Sequence, residues 1–269
     1  MSAQRPLAAY VDGIGLLGPG ISDWGAGARV LAGEAPWQHA PTQLPVPQCL
    51  PSAERRRTGT IVRLAIAVGL EASRRAGVDP AGLPSIFSSS GGDGENCHEI
   101  CEVLASAERQ ISPTRFHNSV HNAAAGYWGI ATQATAASNA LCAYDASFGA
   151  GLLEALTQVA VDSTKVLLIA YDATYPEPLR SHRAIPDAFG VALVLAPTPG
   201  AASLACLTVQ FSAAPAQPLA VGGLEALRRA VPAARSLPLL GLLARRRPGR
   251  VVLDYLDGRQ LAVELSACP

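Results

Sequence analysis

The sequence predicts an α/β protein, and three observations lead there. Short runs rich in β-branched and apolar residues recur along the chain, among them Ala8–Leu17, Val166–Asp172 and Phe189–Ala196. Between them lie longer segments with helical periodicity, the clearest being Glu54–Ala76, where Ile61, Leu64, Ala65, Val68 and Leu70 fall on one stripe. Apolar residues make up 49% of the 269 residues and charged residues 16%, a balance that implies much buried surface, often shared with a partner. The length suits one large domain or two unequal lobes, which we divide at residues 1–197 and 198–269.

Taken in order, Ala8–Leu17 is a first strand closed by Gly18-Pro19-Gly20, and Ser22 is placed to cap a helix carrying Trp24 and Val30. Residues 34–53 lack periodicity and read as an exposed loop. The Glu54–Ala76 helix ends at Gly77, with Asp79-Pro80 as a stop. Ser85–Ser90 reads as a short strand running into Gly91-Gly92-Asp93-Gly94, followed by a helix from Glu95 to Ala107. A helix of small residues over Asn118–Thr132, a buried strand, the turn Cys142–Ser147, a helix over 146–161 and a strand from Val166 follow. Pro176–Asp187 is an irregular connection carrying Arg180, His182 and Arg183. Beyond Pro197, Ser203–Phe211 is a strand and Leu224–Leu243 one broken helix or two short ones. Asp257-Gly258 between Val251–Leu256 and Arg259–Leu265 is a strong hairpin signal.

Composition excludes several classes of function. Formal net charge is zero, so the electrostatic footprint of a nucleic-acid binder is missing. No apolar run approaches the roughly 20 residues of a membrane helix; Leu237–Ala244 is the nearest. The N-terminus lacks an apolar signal core with a cleavage site, which points to the cytoplasm. The six cysteines are then expected reduced, several of them as small core residues. Basic charge is almost all arginine, with Lys165 the only lysine.

Several groups invite a chemical reading. His117 and His121 are four apart and can share a helix face, but no His-Glu-x-x-His pattern or further ligand accompanies them, so we read interface or capping histidines. Cys97, His98 and Cys101 lack a second pair at zinc-finger spacing. Gly91–Gly94 lacks the Lys-Ser/Thr of a phosphate loop and reads as a tight turn. No metal or cofactor is expected. The clusters Arg55–Arg57 and Arg245–Arg247 read as solvated faces, with contact to an acidic protein partner as the other reading.

The turn Cys142–Ser147 joins a strand to a helix N-terminus, a common mount for a reactive group because the unpaired N–H donors and positive dipole end are there. It carries Asp145. One reading makes Asp145 an N-cap of the next helix, contributing roughly 1 kcal/mol; the other makes it a carboxylate that shapes a pocket or does chemistry there. Cys142 reads as inert packing on a buried strand, with a displaced nucleophile as the alternative. Ser147 has no base that the sequence identifies, and ASFGAG is not a G-x-S-x-G elbow.

Five stretches carry a family resemblance: YVDGIGLLGPG with the following LAGEAPW, RRRTGTIVRLAIAVGLEASRRAGVDP, SSSGGDGENCHEI, FGVALVLAP, and the Asn-x-x-Ala-Gly of Asn122–Gly126. On them the chain resembles the β-ketoacyl synthases of the thiolase superfamily, and more closely the short ketosynthase-like chain length factors associated with aryl polyene biosynthesis. The resemblance covers residues 8–197; residues 198–269 keep only the βαββ outline of a synthase C-terminal half. It implies a thiolase-like, layered α-β-α fold with a shortened C-terminal part. Laid forward from Asn122, or back from Val166, the family pattern puts the nucleophilic cysteine's place at Asp145, with Cys142 three residues early. The family's two catalytic histidines have no counterpart, since no histidine follows His182.

The resemblance therefore implies a catalytically inactive subunit that pairs with an active ketosynthase, meets acyl carrier protein only indirectly, and helps close the acyl tunnel. Phe116, His117, His121, Asn122, Tyr127, Trp128 and Phe148 are the candidate tunnel or interface residues, with ordinary core packing as the other reading of the aromatics. A different class is a stand-alone malonyl-thioester decarboxylase or acyltransferase using Asp145, Cys142 or Ser147. A third is a homodimeric scaffold without a synthase partner.

Overall fold

A computed structural model describes residues 7–268; residues 1–6, on which part of the absence of a signal core rests, and Pro269 lie outside the described residues. The chain runs β1 (Leu7–Leu17), α1 (Trp24–Ala32), α2 (Ser52–Arg55), α3 (Thr60–Ala76), β2 (Ser85–Ser88), α4 (Gly94–Ala105), α5 (Pro113–His117), α6 (Ala123–Thr132) and β3 (Ser138–Leu141). It continues through α7 (Ser147–Asp162), β4 (Val166–Asp172), α8 (Leu179–His182), β5 (Phe189–Ala196), β6 (Ala205–Ser212), α9 (Gly222–Ala230), α10 (Leu237–Arg245), β7 (Gly249–Leu256) and β8 (Arg259–Ser266). All eight strands form one sheet in the order β3-β2-β4-β5-β1-β6-β8-β7. The β2–β3 and β2–β4 pairs are parallel and the others antiparallel.

The predicted α/β class holds, with a helical layer on each face of the sheet. On β4 the faces alternate residue by residue: Val166, Leu168 and Ala170 pack with Phe148, Leu152 and Leu156 of α7. Leu167, Ile169 and Tyr171 pack with Leu64 and Val68 of α3 and Trp128 of α6. That is why β4 and β5 read as continuous apolar runs. The layer of α3 lies hard against β1: a Cβ on Gly15 would stand 2.0 Å from the Val68 carbonyl oxygen, and one on Gly13 2.2 Å from that of Ala72. From α3, Glu71 turns inward and accepts the N–H groups of Leu16 and Trp24, each at 2.9 Å, fixing the β1–α1 corner.

The only lysine has a structural task. Asp12 sits at a register shift of β1 with a 1% exposed side chain, and Lys165 Nζ lies 2.6 Å from its Oδ2 while Ser203 Oγ donates to its Oδ1 at 2.6 Å.

Several sequence expectations shift. Asp23, not Ser22, caps α1, accepting from Ala26 N, with Ser22 Oγ donating to Asp23 Oδ2. The long helix begins at Thr60, not Glu54, because Gly59 takes an extended conformation behind the single turn of α2. On the outer side of α3, Leu70 is half-buried. The small-residue helix begins at Ala123; His117 ends the separate α5 and His121 lies in the turn between, so the two histidines share no helix. The strand before the Cys142 turn is not buried: β3 is a sheet edge with Ser138 and Asn139 exposed. No cysteine is a core residue, four being exposed and two half-buried, with all six free.

Replacing Lys165 by Met is expected to strand the Asp12 carboxylate. The cost should be roughly 2–4 kcal/mol, below the fully buried figure because the lysine remains in part solvated. Urea denaturation measures it; a loss below about 0.5 kcal/mol would mean that solvent already serves Asp12.

Candidate functional site

The turn between β3 and α7 is built as an elbow. Leu141 ends β3, Cys142 and Ala143 follow, and Tyr144–Ala146 make one 3-10 turn before α7 starts at Ser147. Tyr144 has φ 51°, a left-handed backbone costing a bulky residue on the order of 1–3 kcal/mol. The conformation is held by Ser147, whose Oγ accepts the Ala143 N–H at 3.1 Å and donates to the Tyr144 carbonyl at 2.7 Å. Both functions of that hydroxyl are occupied, and Ser147 is buried. The thiol of Cys142 is exposed, not packed, and donates to the Ser90 carbonyl at 3.1 Å.

Asp145 does not cap α7, which has no side-chain cap. Its carboxylate is held instead by two arginines: Arg183 Nη2 lies 2.8 Å from Oδ1 and Arg235 Nη2 lies 3.0 Å from Oδ2. Arg183 comes from the β4–β5 connection and lies over the Tyr144 ring at 3.8 Å; Arg235 comes from the 3-10 turn Pro232–Ser236. Burial opposes the charge on Arg183, but the Asp145 hydrogen bond and charge outweigh it and hold the guanidinium protonated.

Under this clamp lies a second carboxylate. Asp172 ends β4, and its Oδ1 accepts from Ser90 N at 2.8 Å and Ser90 Oγ at 2.6 Å, while Oδ2 accepts from Ala233 N at 2.8 Å. Burial pushes its pKa up to about 6, and the bonds from Ser90 and Ala233 pull the other way. The segment Pro232–Ser236 is thus docked on the elbow through Arg235 and on the end of β4 through Ala233. Sequence reasoning missed Arg235 and Asp172. A carboxylate closing the otherwise apolar VLLIAYD was a signal for Asp172, whereas Arg235 carried none.

The tunnel and interface candidates fall into two groups. Tyr127, Trp128 and Phe148 are each 1% exposed and belong to the two cores. Trp128 meets Phe87 edge-on at 6.3 Å, and the Tyr127 hydroxyl donates to Asn118 Oδ1 at 3.1 Å. Phe116 is 68% exposed, Val120 52% and Ile130 44%, on α5, α6 and the turn between. Phe116, His117, Val120, Asn122 and Gly126 line a shallow cavity of about 540 Å³. His117 meets Tyr127 edge-on, and the shielded Nε2 of His121 has no partner. The unpaired edge of β3 adjoins this apolar surface, since α6 packs on β3.

Asp93 caps α4 through Asn96 N, and a Cβ on Gly91 would stand 2.0 Å from the Tyr175 hydroxyl and one on Gly94 2.3 Å from its ring. His98 faces Glu102 one turn on at 3.3 Å. Among the described residues no three His, Cys, Asp or Glu side chains are grouped to hold a metal ion. Among the same residues no helix is long and apolar enough to cross a membrane.

The pH dependence of stability is expected to report Asp172. Its folded pKa lies above the unfolded value, so the proton is held more tightly in the fold, and stability falls as pH rises from about 4 through about 6. Asp172→Asn should flatten that slope. It should also lower stability at every pH, because an amide nitrogen would face the Ser90 or Ala233 N–H. Urea titrations near pH 4.5 and 7 measure both; an unchanged slope in the variant would remove the assignment.

A family model described as beta-ketoacyl synthase, N-terminal domain, matches residues 30–245. A chain of the ketosynthase (ApeO) in complex with its chain length factor (ApeC) from Xenorhabdus doucetiae is similar at 25% identity and a TM-score of 0.74, over 96% of this chain and 99% of that one. A chain of the ishigamide ketosynthase/chain length factor is similar at 16% identity and a TM-score of 0.69, over 97% and 100% of the two chains. A chain of AntDE:AntF, a type II acyl-carrier protein in complex with its ketosynthase, reaches a TM-score of 0.74 at 12% identity over 98% and 100%. These last two show the fold alone. No curated protein matches by sequence.

Proposed function

The chain belongs to the β-ketoacyl synthase family, and from that premise we propose that it is a non-catalytic subunit of the chain-length-factor type. It pairs with an active ketosynthase and shapes the acyl tunnel in polyene, polyketide or fatty-acid-type elongation. The observation that carries this reading is the clamp on Asp145. Decarboxylative condensation needs a thiolate primed at a helix end and two imidazoles that stabilise enolate and oxyanion. At the elbow the nucleophile's place is taken by a carboxylate with both oxygens occupied by guanidinium groups. Ser147 is spent on the turn and Cys142 is turned to Ser90. No histidine stands anywhere after His182.

The surface beside the elbow supports the pairing. The β3 edge leaves backbone donors and acceptors open on one side, and Phe116, Val120 and Ile130 expose apolar area next to it. Burial of such a patch favours association, and an open strand edge sets its register. The similar Xenorhabdus structure is of a ketosynthase in complex with its chain length factor. In this reading the partner supplies cysteine and histidines, Phe116 reaches the shared tunnel, and the buried Tyr127, Trp128 and Phe148 hold the wall from behind. Residues 1–197 carry elbow and interface, residues 198–269 close over the elbow as a shortened lobe, and acyl carrier protein meets the pair chiefly through the active subunit, in the cytoplasm.

Co-expression with the ketosynthase encoded nearest to this chain should yield a one-to-one complex by light scattering. Phe116→Asp should weaken it by about tenfold or more, as a central apolar contact would. A monomer or homodimer that ignores the ketosynthase removes the reading.

Incubated alone with malonyl- or acyl-carrier protein, the chain should take no covalent load and release no carbon dioxide. Mass spectrometry of intact protein checks both, and an acyl adduct on Cys142 or Ser147 would restore the stand-alone enzyme.

A further inference from the structure

Remote from the elbow, on the outer side of α3, the irregular segment 33–51 forms a strap over a cavity of about 620 Å³. Segments of this length without regular structure, beyond roughly 12–15 residues, are uncommon in compact domains and are often binding loops. This one is fixed at its base. The Gly20 N–H donates to the Ala40 carbonyl at 2.8 Å, Trp37 Nε1 to the Pro19 carbonyl at 3.0 Å, and Thr42 Oγ1 to the Ala188 carbonyl at 2.7 Å. Pro41, Pro45, Pro47 and Pro51 stiffen it. Beyond these anchors residues 43–49 line the cavity, with Val46 53% exposed.

The cavity has the make-up of a small-molecule site: apolar walls of suitable volume with a few polar groups. Leu16, Ile66, Leu70 and Val46 supply apolar surface, and Arg63 stands at one end, Arg74 at the other. Eleven residues of helix separate the two arginines, about 16 Å of groove. The ends differ in charge. At the Arg74 end stand the carboxylates of Glu71 and Asp23, the latter 3.9 Å from Arg75. At the Arg63 end no acid lines the cavity; Arg63 Nη2 donates to the Leu44 carbonyl at 2.9 Å, and its shielded Nε has no acceptor.

We propose that this cleft binds an amphipathic carboxylate, its apolar body along α3 beneath the strap and its carboxylate at Arg63. The site is independent of the elbow and does not rest on the subunit reading above.

Equilibrium dialysis of the full chain, in whatever assembly it purifies, against labelled dodecanoate and dodecanol below their micelle concentrations tests it. Saturable binding of one dodecanoate per chain is expected, with dodecanol weaker by about tenfold, the scale of a charge-assisted hydrogen bond. Arg63→Gln should weaken dodecanoate by a similar factor and leave dodecanol nearly unchanged. Ala67→Trp should abolish both by filling the groove; where it does not fold, Val46→Trp closes the groove from the strap. Absence of saturable binding, or binding that survives the filling variant, overturns the proposal. Equal affinity for acid and alcohol overturns the assignment of the carboxylate to Arg63.

Discussion

The carboxylate of Asp145, held between Arg183 and Arg235, is the contact on which the architecture of the elbow depends. It brings together three pieces of chain that are far apart in sequence: the β3–α7 turn, the β4–β5 connection and the 3-10 turn before α10. Hydrogen bonds between charged groups contribute roughly 1.5–3 kcal/mol each where solvent is excluded. The Asp145 side chain is 42% exposed, so the lower end of that range applies. The geometry matters more than the energy. Both carboxylate oxygens are already committed to guanidinium groups, so Asp145 serves the turn as a joint.

Asp172 extends the joint inward. Its three hydrogen bonds tie β2, β4 and the Pro232–Ser236 turn at the buried end of the sheet. The two carboxylates divide the work: Asp172 is buried and satisfied mainly by backbone donors, Asp145 is half-open and satisfied by charge. Together they hold residues after Pro197 against the first half of the chain, with the same eight-stranded sheet running through both. At its other end the sheet stops at β3, a strand of only four residues. The strand Ser138–Leu141 has no proline, no charge and no bulge. An edge so left, beside exposed Phe116, Val120 and Ile130, is an aggregation hazard unless another chain covers it.

Much of this was legible in the sequence for physical reasons. Strands buried on both faces, β4 and β5, announce themselves as unbroken apolar runs, and Gly77, with φ 64°, ends α3 where a left-handed cap is needed. Asp257-Gly258 specified the final hairpin. The family motifs led to the ketosynthase resemblance and to the thiolase-like α/β class, and both hold. What stayed hidden depends on distance or on partners. Asp145 and Arg235 are 90 residues apart, and no local pattern links them. Local geometry favoured an N-cap for Asp145, but two guanidinium groups offer a carboxylate more than one backbone N–H does. The edge position of β3 cannot be read from four residues, because small side chains suit a crowded core and an interface equally. Cysteine misled in the same way: its usual burial is a tendency of the residue type, whereas in this chain the thiols follow loops, helix surfaces and strand ends.

The strain at Tyr144 shows how firmly the elbow is held. A left-handed tyrosine costs on the order of 1–3 kcal/mol and survives only where its surroundings over-determine it. In a catalyst such strain aims the reacting atom. Here the backbone at φ 51° instead aims an aromatic ring that is 61% exposed and backed by Arg183 at 3.8 Å. The Ser147 hydroxyl and the Asp145 clamp are the groups that hold it there. The elbow is therefore a rigid projection beside the open strand edge, held by its own hydrogen bonds.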